Sequence, residues 1–470
     1  MNYSGDRVAR DRFKTAEGRF HLHTERVTAP EPFSNQRSTR LTLASLQGGA
    51  EEGSWILFNV RDCVHISRYN MTHKEPYKSL VFNNSPVRTG YPTCHAFLSA
   101  RDGVDLLVGL GDGTVYLMSL RAQLQNSGFQ TKPVVLGTLQ PEGVSESTRC
   151  TAVAWVPRSE SGLFVASYNT GNIYMYKKAQ VTGEGSGKFS LSLGSSSKSQ
   201  SPSIIPLGGG GVNDVAPSPD GRHLAAACRD GSLRVVELGS GAVVAGFCSY
   251  YGALLCCCFS PDGKYVAAGG EDDLVAVYGL QERYPVVHGQ GHRSWVSRVA
   301  WDPWAGSEPG DRSRTALSEQ LAPSLHIYRL GSAGQDCQLC LWDVQAPGEG
   351  DINSGAALLA QMTGMMGSGA KRNGSIGGRA PGAAGGGSEG GPGLPPAASL
   401  HDRKASLGKS TNICPSLPRM DMYIVQPVME HKLHLEPMCD LLFASDSIFT
   451  VDHTGNIRRW LRPSADGVGE

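Results

Sequence analysis

"SPDGRHLAAACRDGSLRVVEL" at residues 218–238 and "SPDGKYVAAGGEDDLVAVYGL" at residues 260–280 align without a gap at an offset of 42 residues. Each reads as an SPDG turn, a strand of mostly apolar residues, a tight Asp-rich turn and a further strand. A period of about 40–45 residues built from short strands and such turns is the sequence signature of a β-propeller blade.

Working outward from this pair, other copies appear once insertions are allowed. They are "TCHAFLSARDGVDLLVGLGDGTVYLMSL" (93–120), "RCTAVAWVPRSESGLFVASYNTGNIYMYK" (149–177) and "EPMCDLLFASDSIFTVDHTGNIRRWL" (436–461). A further copy begins at "SWVSRVAWDPW" and resumes, after an insert, at "HIYRLGSAGQDCQLCLWDV" (326–344). An eroded first copy lies between 40 and 83 in "RLTLASL", "SWILFNV", "CVHISRY" and "YKSLVFN". The expectation is an all-β, seven-bladed WD-repeat propeller.

The last copy poses a closure problem. After "IRRWL" only "RPSADGVGE" remains, too short and polar for an outer fourth strand, and an unpaired strand would leave an open edge. The alternating segment "GRFHLHTERV" (18–27) is the expected donor, so that an N-terminal strand completes blade seven. Blades one to six then occupy 1–345, an insert 346–420, the end of blade six with blade seven 421–463, and a tail 464–470. The insert is dominated by Gly, Ala, Ser and Pro, a composition that cannot bury a core and is expected to be disordered. "DMYIVQPVME" (421–430) is expected to return from it as the fourth strand of blade six. A second insert (305–323) interrupts the same blade, and a Ser/Gly-rich stretch (180–211) surrounds the outer strand of blade three. Within the long insert, "RKASL" (403–407) offers Ser406 as a candidate phosphosite.

Bulk properties bound the function. The formal net charge is zero, which gives no electrostatic footprint for nucleic acid or an acidic membrane. The first twenty residues are charged and lack the apolar region of a secretory signal, and no run approaches the ~18 apolar residues of a membrane span. The expectation is an intracellular protein, cytoplasmic or nuclear, whose twelve cysteines are reduced.

Several strings imitate chemistry. "GGSEG" (386–390) matches G-x-S-x-G but lies in the insert, without the strand–turn–helix of a nucleophile elbow. "TGEGSGKF" (182–189) has Thr182 for the first glycine of a phosphate loop and Phe189 for its magnesium-binding Ser or Thr. Cys337 and Cys340 point to opposite faces if they share a strand, and the outer thiols of "CCC" (256–258) are ~6.6 Å apart along theirs. Histidines 21, 23, 431 and 434 read as strand or loop residues rather than ligands. Neither a metal site, a cofactor site nor a catalytic constellation is expected. Gly291-His292, Ser332, Asp336 and Trp342-Asp343 make the fullest WD signature, in blade six. There the His292, Ser332, Asp336 and Trp342 side chains are expected to form a buried hydrogen-bonded relay. Other blades keep only parts of it.

The order "FKTAEGRFHL", "PTCHAF", "LLVGLGDGTVYL", "TGNIYMY", "FCSYYGALLCCCFSPDGKYVAAGGEDDLVAVY", "HGQGHRSWVS", "GSAGQDCQLCLWD" and "FTVDHTGNIRRW" resembles one family from about residue 13 to 463, the inserts excepted. It is the family of WD repeat-containing protein 20, the dystrophia myotonica WD-repeat protein and fungal CreC. Blade one and the insert composition depart from the family pattern. The resemblance implies a non-enzymatic scaffold that binds and allosterically activates a ubiquitin-specific protease, commonly beside a second WD-repeat protein. In fungi that pairing serves carbon catabolite repression. The rival reading is a substrate receptor of a cullin ubiquitin ligase or another peptide-binding propeller. The W-D-x-R of such receptors is absent from "WDVQ" (342–345) and "WLRP" (460–463).

Aligning the blades by their first strands puts Trp301 in a column with Phe97, Trp155, Phe259 and Phe443, which reads as core. Trp295 shares its column with Tyr91, Arg149, Gly211, Ala253 and Pro437, a set with no common apolar demand. Trp295 and Tyr251 are therefore expected exposed on one rim as an aromatic anchor pair, with Arg293 and Asp272 beside them, for the protein partner.

Overall fold

The SPDG turns close in the same way in both copies. Ser218 Oγ donates to Asp220 Oδ1 (2.5 Å) and accepts from the His223 amide (2.9 Å), while Asp220 Oδ1 accepts from the Arg222 amide (3.0 Å). In the next blade Ser260 donates to Asp262 (2.6 Å), which accepts from the Lys264 amide (3.1 Å), and Ser260 accepts from the Tyr265 amide (3.0 Å). Gly221 and Gly263 end these turns at φ +72° and +76°, a region that glycine enters without a Cβ clash.

The computed structural model describes residues 11–15, 17–27, 38–82, 90–141, 147–178, 202–208, 210–305, 327–345, 412–419 and 422–463. Ser406, most of the 180–211 and 305–323 stretches and the 464–470 tail lie outside these residues. Chain contacts separate the propeller, Met1–Ala346 with Ser410–Glu470, from Pro347–Lys409, which is likewise outside them.

The described strands make seven sheets of four or five strands, one per blade. Blade four holds Val212–Pro217, His223–Cys228, Ser232–Glu237 and Val243–Cys248. Blade five holds Leu254–Phe259, Tyr265–Gly270, Leu274–Gly279 and Tyr284–Gln290. Blade six holds Val296–Asp302, Ile327–Gly334, Gln338–Gln345 and Met429–Lys432. The eroded first copy is a full blade, Leu41–Leu46, Gly53–Val60, Cys63–Arg68 and Lys78–Val81. Both faces of each blade are covered by its neighbours, so second strands such as Leu106–Leu110 and Tyr265–Gly270 are buried throughout. The core accordingly lies between blades: Cys256 and Val275 of blade five pack with Val296, Trp301 and Trp342 of blade six. In the aromatic column Trp155, Phe259, Trp301 and Phe443 are buried, and Phe97 packs half-buried against the cluster of blades one and two. Trp304 packs, half-buried, against the cluster shared by blades six and seven.

Closure follows the sequence expectation. Blade seven consists of Met438–Phe443, Ser447–Asp452 and Ile457–Leu461, with Gly18–Arg26 antiparallel to the last of these. A hairpin partner, Arg12–Thr15, adds a fifth strand. Phe13 stacks on Phe20 (4.8 Å) and meets Trp460 edge-on (5.2 Å). Ion pairs fasten the N-terminal residues here, Arg458 to Glu25 (2.6 Å) and Arg329 to Glu17 (2.8 Å), while Arg462 ties blade seven to blade six through both carboxylate oxygens of Asp302 (2.7 and 2.8 Å).

The fold is the expected all-β propeller; among the described residues one short helix, Leu120–Gln125, is capped by Ser119, after which Gln130–Thr131 add a parallel fifth strand to blade one. Two expectations need correction. The insert does not run unstructured to residue 420: Ile413–Cys414 pair in parallel with Gly246 and Phe247 on the outer strand of blade four. Nor does 421–430 return as one strand. Ile424–Val425 pair with His288 and Gly289 on blade five, and the blade six strand is Met429–Lys432. The physical reason is the same in both cases. The outer strands of blades four and five would otherwise be open edges, and a short extended segment with apolar residues, here Cys414 and Val425 against the inter-blade clusters, covers them. The returning chain thus straps three consecutive blades.

Candidate protein-docking site

Loops 249–253, 291–295 and 433–437 each carry the chain from one blade's outer strand to the next blade's inner strand. Because those inner strands begin at Leu254, Val296 and Met438, Tyr250, His292 and His434 occupy one column, and Tyr251, Arg293 and Leu435 the next.

In blade six the column histidine anchors the loop. His292 Nε2 bonds Ser332 Oγ (2.7 Å), Trp342 Nε1 donates to the same oxygen (2.8 Å), and His292 Nδ1 lies 3.1 Å from both Asp336 oxygens. Asp336 also accepts from the Arg293 amide (2.9 Å), and the Gln335 amide donates to the Trp295 carbonyl (2.9 Å), so the relay pins the Trp295 loop to the sheet. Burial opposes a charge on His292, but the adjacent Cys340 sulfur and Asp336 carboxylate outweigh it and raise its pKa to about 10.

Blade seven carries a second complete relay that the sequence pattern hid. His434 Nε2 bonds Thr450 Oγ1 (2.9 Å), Trp460 Nε1 donates to that oxygen (3.1 Å), and His434 Nδ1 faces Asp452 Oδ2 (3.2 Å). Threonine replaces serine, and the carboxylate stands two residues earlier than in blade six: the blade seven residue matching Asp336 is Thr454. The ten-residue spacing from hydroxyl to tryptophan, Ser332 to Trp342 and Thr450 to Trp460, was the available signal.

Blade five has lost the histidine. Tyr250 takes its place, and Asp272, the counterpart of Asp336, accepts from the Tyr250 amide (3.1 Å) and the Leu274 amide (3.3 Å). Asp272 is buried, and burial raises its pKa to about 6. It is thus the brace of the tyrosine loop, in contrast to the rim position expected beside Trp295. Tyr250 and Tyr251 meet edge-on at 5.9 Å and are 41% and 49% exposed.

On the neighbouring loops Trp295 is 43% and Leu435 76% exposed, and Arg293 is exposed. Three successive loops, each braced from beneath, therefore present large apolar side chains to solvent. Tyr250 and Leu435 were not singled out from the sequence, although the alignment of inner strands places them in the same two columns.

A cleft of about 160 Å³ opens at the outer end of this face. Tyr250, Tyr251, Asp272, Asp273 and His292 line it from the blades, and Arg419, Met422 and Ile424 from the strap. Of the residues expected at the site it gathers Tyr251, Asp272 and the relay His292; Trp295 and Arg293 lie outside it. At the ring's centre, Arg298 bridges Asp214 of blade four (2.8 Å) and Asp440 of blade seven (3.0 Å), tying non-adjacent blades together beneath the loops. All twelve cysteines are unpaired thiols, and among the described residues no group of three or more His, Cys, Asp and Glu is placed to hold a metal.

Comparison with known proteins identifies WD40 repeats in the chain. The WD40 family, "WD domain, G-beta repeat", matches residues 204–237 and 245–278, each match spanning an outer strand and the three inner strands of the next blade. The chain is 29% identical over 377 residues to WD repeat-containing protein 20 of Mus musculus. That match covers 71% of this chain and 64% of the mouse protein, so the chain spans less than two thirds of that relative's length. A seven-bladed ring with WD40 repeats, loops braced by His–Ser/Thr–Trp relays and this similarity converge: the chain is a β-propeller protein with WD40 repeats, similar to WD repeat-containing protein 20.

Proposed function

We propose that the chain is a non-catalytic scaffold that docks a ubiquitin-specific protease on the braced loop face and activates it allosterically. A second WD-repeat protein would join the same complex, acting in the cytoplasm or nucleus. The observation that carries the docking reading is the arc of exposed Tyr250, Tyr251, Trp295 and Leu435 on three consecutive loops whose backbones are held by buried relays and carboxylates. Large aromatic side chains on rigid loops are favoured as interface hot spots because little conformational entropy is lost when they are buried. The partner class is what the family resemblance implies, and the 29% identity to WD repeat-containing protein 20 supports that resemblance. Activation would follow if the docked face binds the protease's competent state more tightly than its resting state.

Affinity capture of the full chain from cell extract is expected to bring down a deubiquitinase. Trp295→Ala or Tyr251→Ala should then weaken binding of that protease by about 2 kcal/mol or more, roughly 25-fold in Kd, with the fold intact by circular dichroism. A cullin adaptor in the eluate instead, or wild-type affinity in both well-folded variants, would overturn the reading.

A further inference from the structure

The cleft beside the tyrosine loop contains a buried carboxylate that no ion pair reaches among the described residues. Of the aspartates in the turn before the third strand, half-buried Asp112 of blade two accepts from the Thr114 amide (2.9 Å), whereas those of blades four and six meet a cation. Asp230 meets Arg234 (2.6 Å), and Asp336 meets His292 (3.1 Å). In blade seven Asp452, two residues earlier, faces His434 (3.2 Å). In blade five the corresponding Asp272 is nine-tenths buried and accepts only from amides, because Tyr250 stands where the histidine would be. Among the described residues no ion pair reaches Asp272 or its neighbour Asp273. A buried carboxylate without a cation is an unfavourable arrangement that a positively charged visitor relieves. Burial raises the pKa of Asp272 to about 6, and burial with the nearby Asp336 carboxylate raises that of Asp273 against the opposing His292.

The other walls fit such a visitor. Tyr250 and Tyr251 supply aromatic rings that attract a cation on their faces and accept an aliphatic stem along their edges. Met422 and Ile424 of the strap close the far side with apolar surface. At about 160 Å³ the cleft has room for one long side chain and not for a folded element. Of the two cations that line it, His292 is already engaged with Asp336, and Arg419 is exposed on the strap. We propose that this cleft is a socket for a single basic side chain, lysine or arginine, presented by the protein that docks on the loop face. The inference rests on the docking reading for its presenter, but the socket's chemistry is the chain's own. The strap that returns from the insert completes the socket, so Arg419, Met422 and Ile424 take part in recognition, and Ile424 also covers a strand edge.

The test uses the isotopically labelled full chain and two small probes, N-acetyl-lysine methylamide and its norleucine analogue, which lacks the ammonium group. Amide resonances of Tyr250, Asp273 and Leu274 are followed by NMR. Saturable shifts with the lysine probe, at least tenfold weaker with norleucine, are expected. Asp273→Asn should lower the lysine-probe affinity at least fivefold. That variant is a clean one, because asparagine readily adopts the left-handed backbone found at Asp273, φ +61°. Asp272→Asn is the second variant, read alongside circular dichroism because Asp272 also braces the loop. No saturable shift, equal affinity for norleucine, or unchanged affinity in Asp273→Asn would overturn the socket. The two readings fail separately. A chain that binds lysine but captures no protease loses only the partner, whereas one that captures protease through Trp295 yet ignores lysine loses only the socket.

Discussion

Replacing Phe20 by alanine tests whether the N-terminal strand holds the ring shut. Phe20 is 1% exposed, stacks on Phe13 at 4.8 Å, and belongs to the cluster that contains Trp460, Met438 and Leu441 of blade seven. Truncating a fully buried phenylalanine costs about 3–5 kcal/mol, from lost transfer free energy and the cavity left behind. Roughly 300 ordered residues at ~2.1 cal/mol/K each unfold with an entropy near 0.6 kcal/mol/K, so ~4 kcal/mol lowers the midpoint by about 6 °C. His21 is the internal control. It lies on the same strand, points outward and is exposed, so His21→Ala should stay within about 0.5 kcal/mol of the wild type. Differential scanning calorimetry of the two variants reads the contrast directly. A Phe20→Ala midpoint within 1 °C of the wild type would mean that residues 18–26 contribute no packing to the closure, and the seam would have to be held elsewhere.

Thr450→Val leaves both Trp460 Nε1 and His434 Nε2 without their buried partner, and should lower stability by about 2 kcal/mol or more in urea denaturation, while Thr450→Ser stays near wild type. Because the folded-state pKa of His292 is raised to about 10 from an ordinary 6.5, its contribution is fully present below pH 6.5 and is lost as pH rises towards 10. His292→Gln should therefore be less stable at neutral pH and show a flatter decline across that alkaline window, measured as denaturation midpoint against pH. Replacing 346–411 by a flexible link of about 20 residues, with a root-mean-square reach of about 25 Å, should leave the thermal midpoint almost unchanged. Extending the deletion through 425 uncovers the edges of blades four and five and should promote aggregation, visible by light scattering.

The sequence by itself determined the blade count, the closure strand and the core columns. These depend on periodicity and turn chemistry, which are local: the SPDG turns fold within six residues, and Trp301 is core because the same position in other blades is aromatic. Blade one was legible despite its erosion because strand alternation survives when the motif residues do not. The blade six relay was legible because all four residues keep their family spacing. The blade seven relay was not, since Asp452 reaches His434 from a position two residues away from the pattern, and only the folded turn shows that the distances still close.

Tyr251, Asp272 and His292 were singled out from the sequence, but their assembly into one cleft belonged to the tertiary structure. Asp272 looks like any turn aspartate in the chain, and its lack of a cation emerges only when Tyr250, twenty-two residues earlier, is seen occupying the histidine's place. Arg419 and Met422 follow a Gly/Ser-rich insert whose composition predicts no partner at all. Their position was decided by the exposed edges of blades four and five, which capture whatever extended segment passes within hydrogen-bonding reach. Pairings of two residues carry too little sequence signal to be read in advance, yet they settle which side chains face the tyrosine loop. Local patterns specified the ring, and the competition among strand edges for cover, a property of the assembled surface, specified the site on its rim.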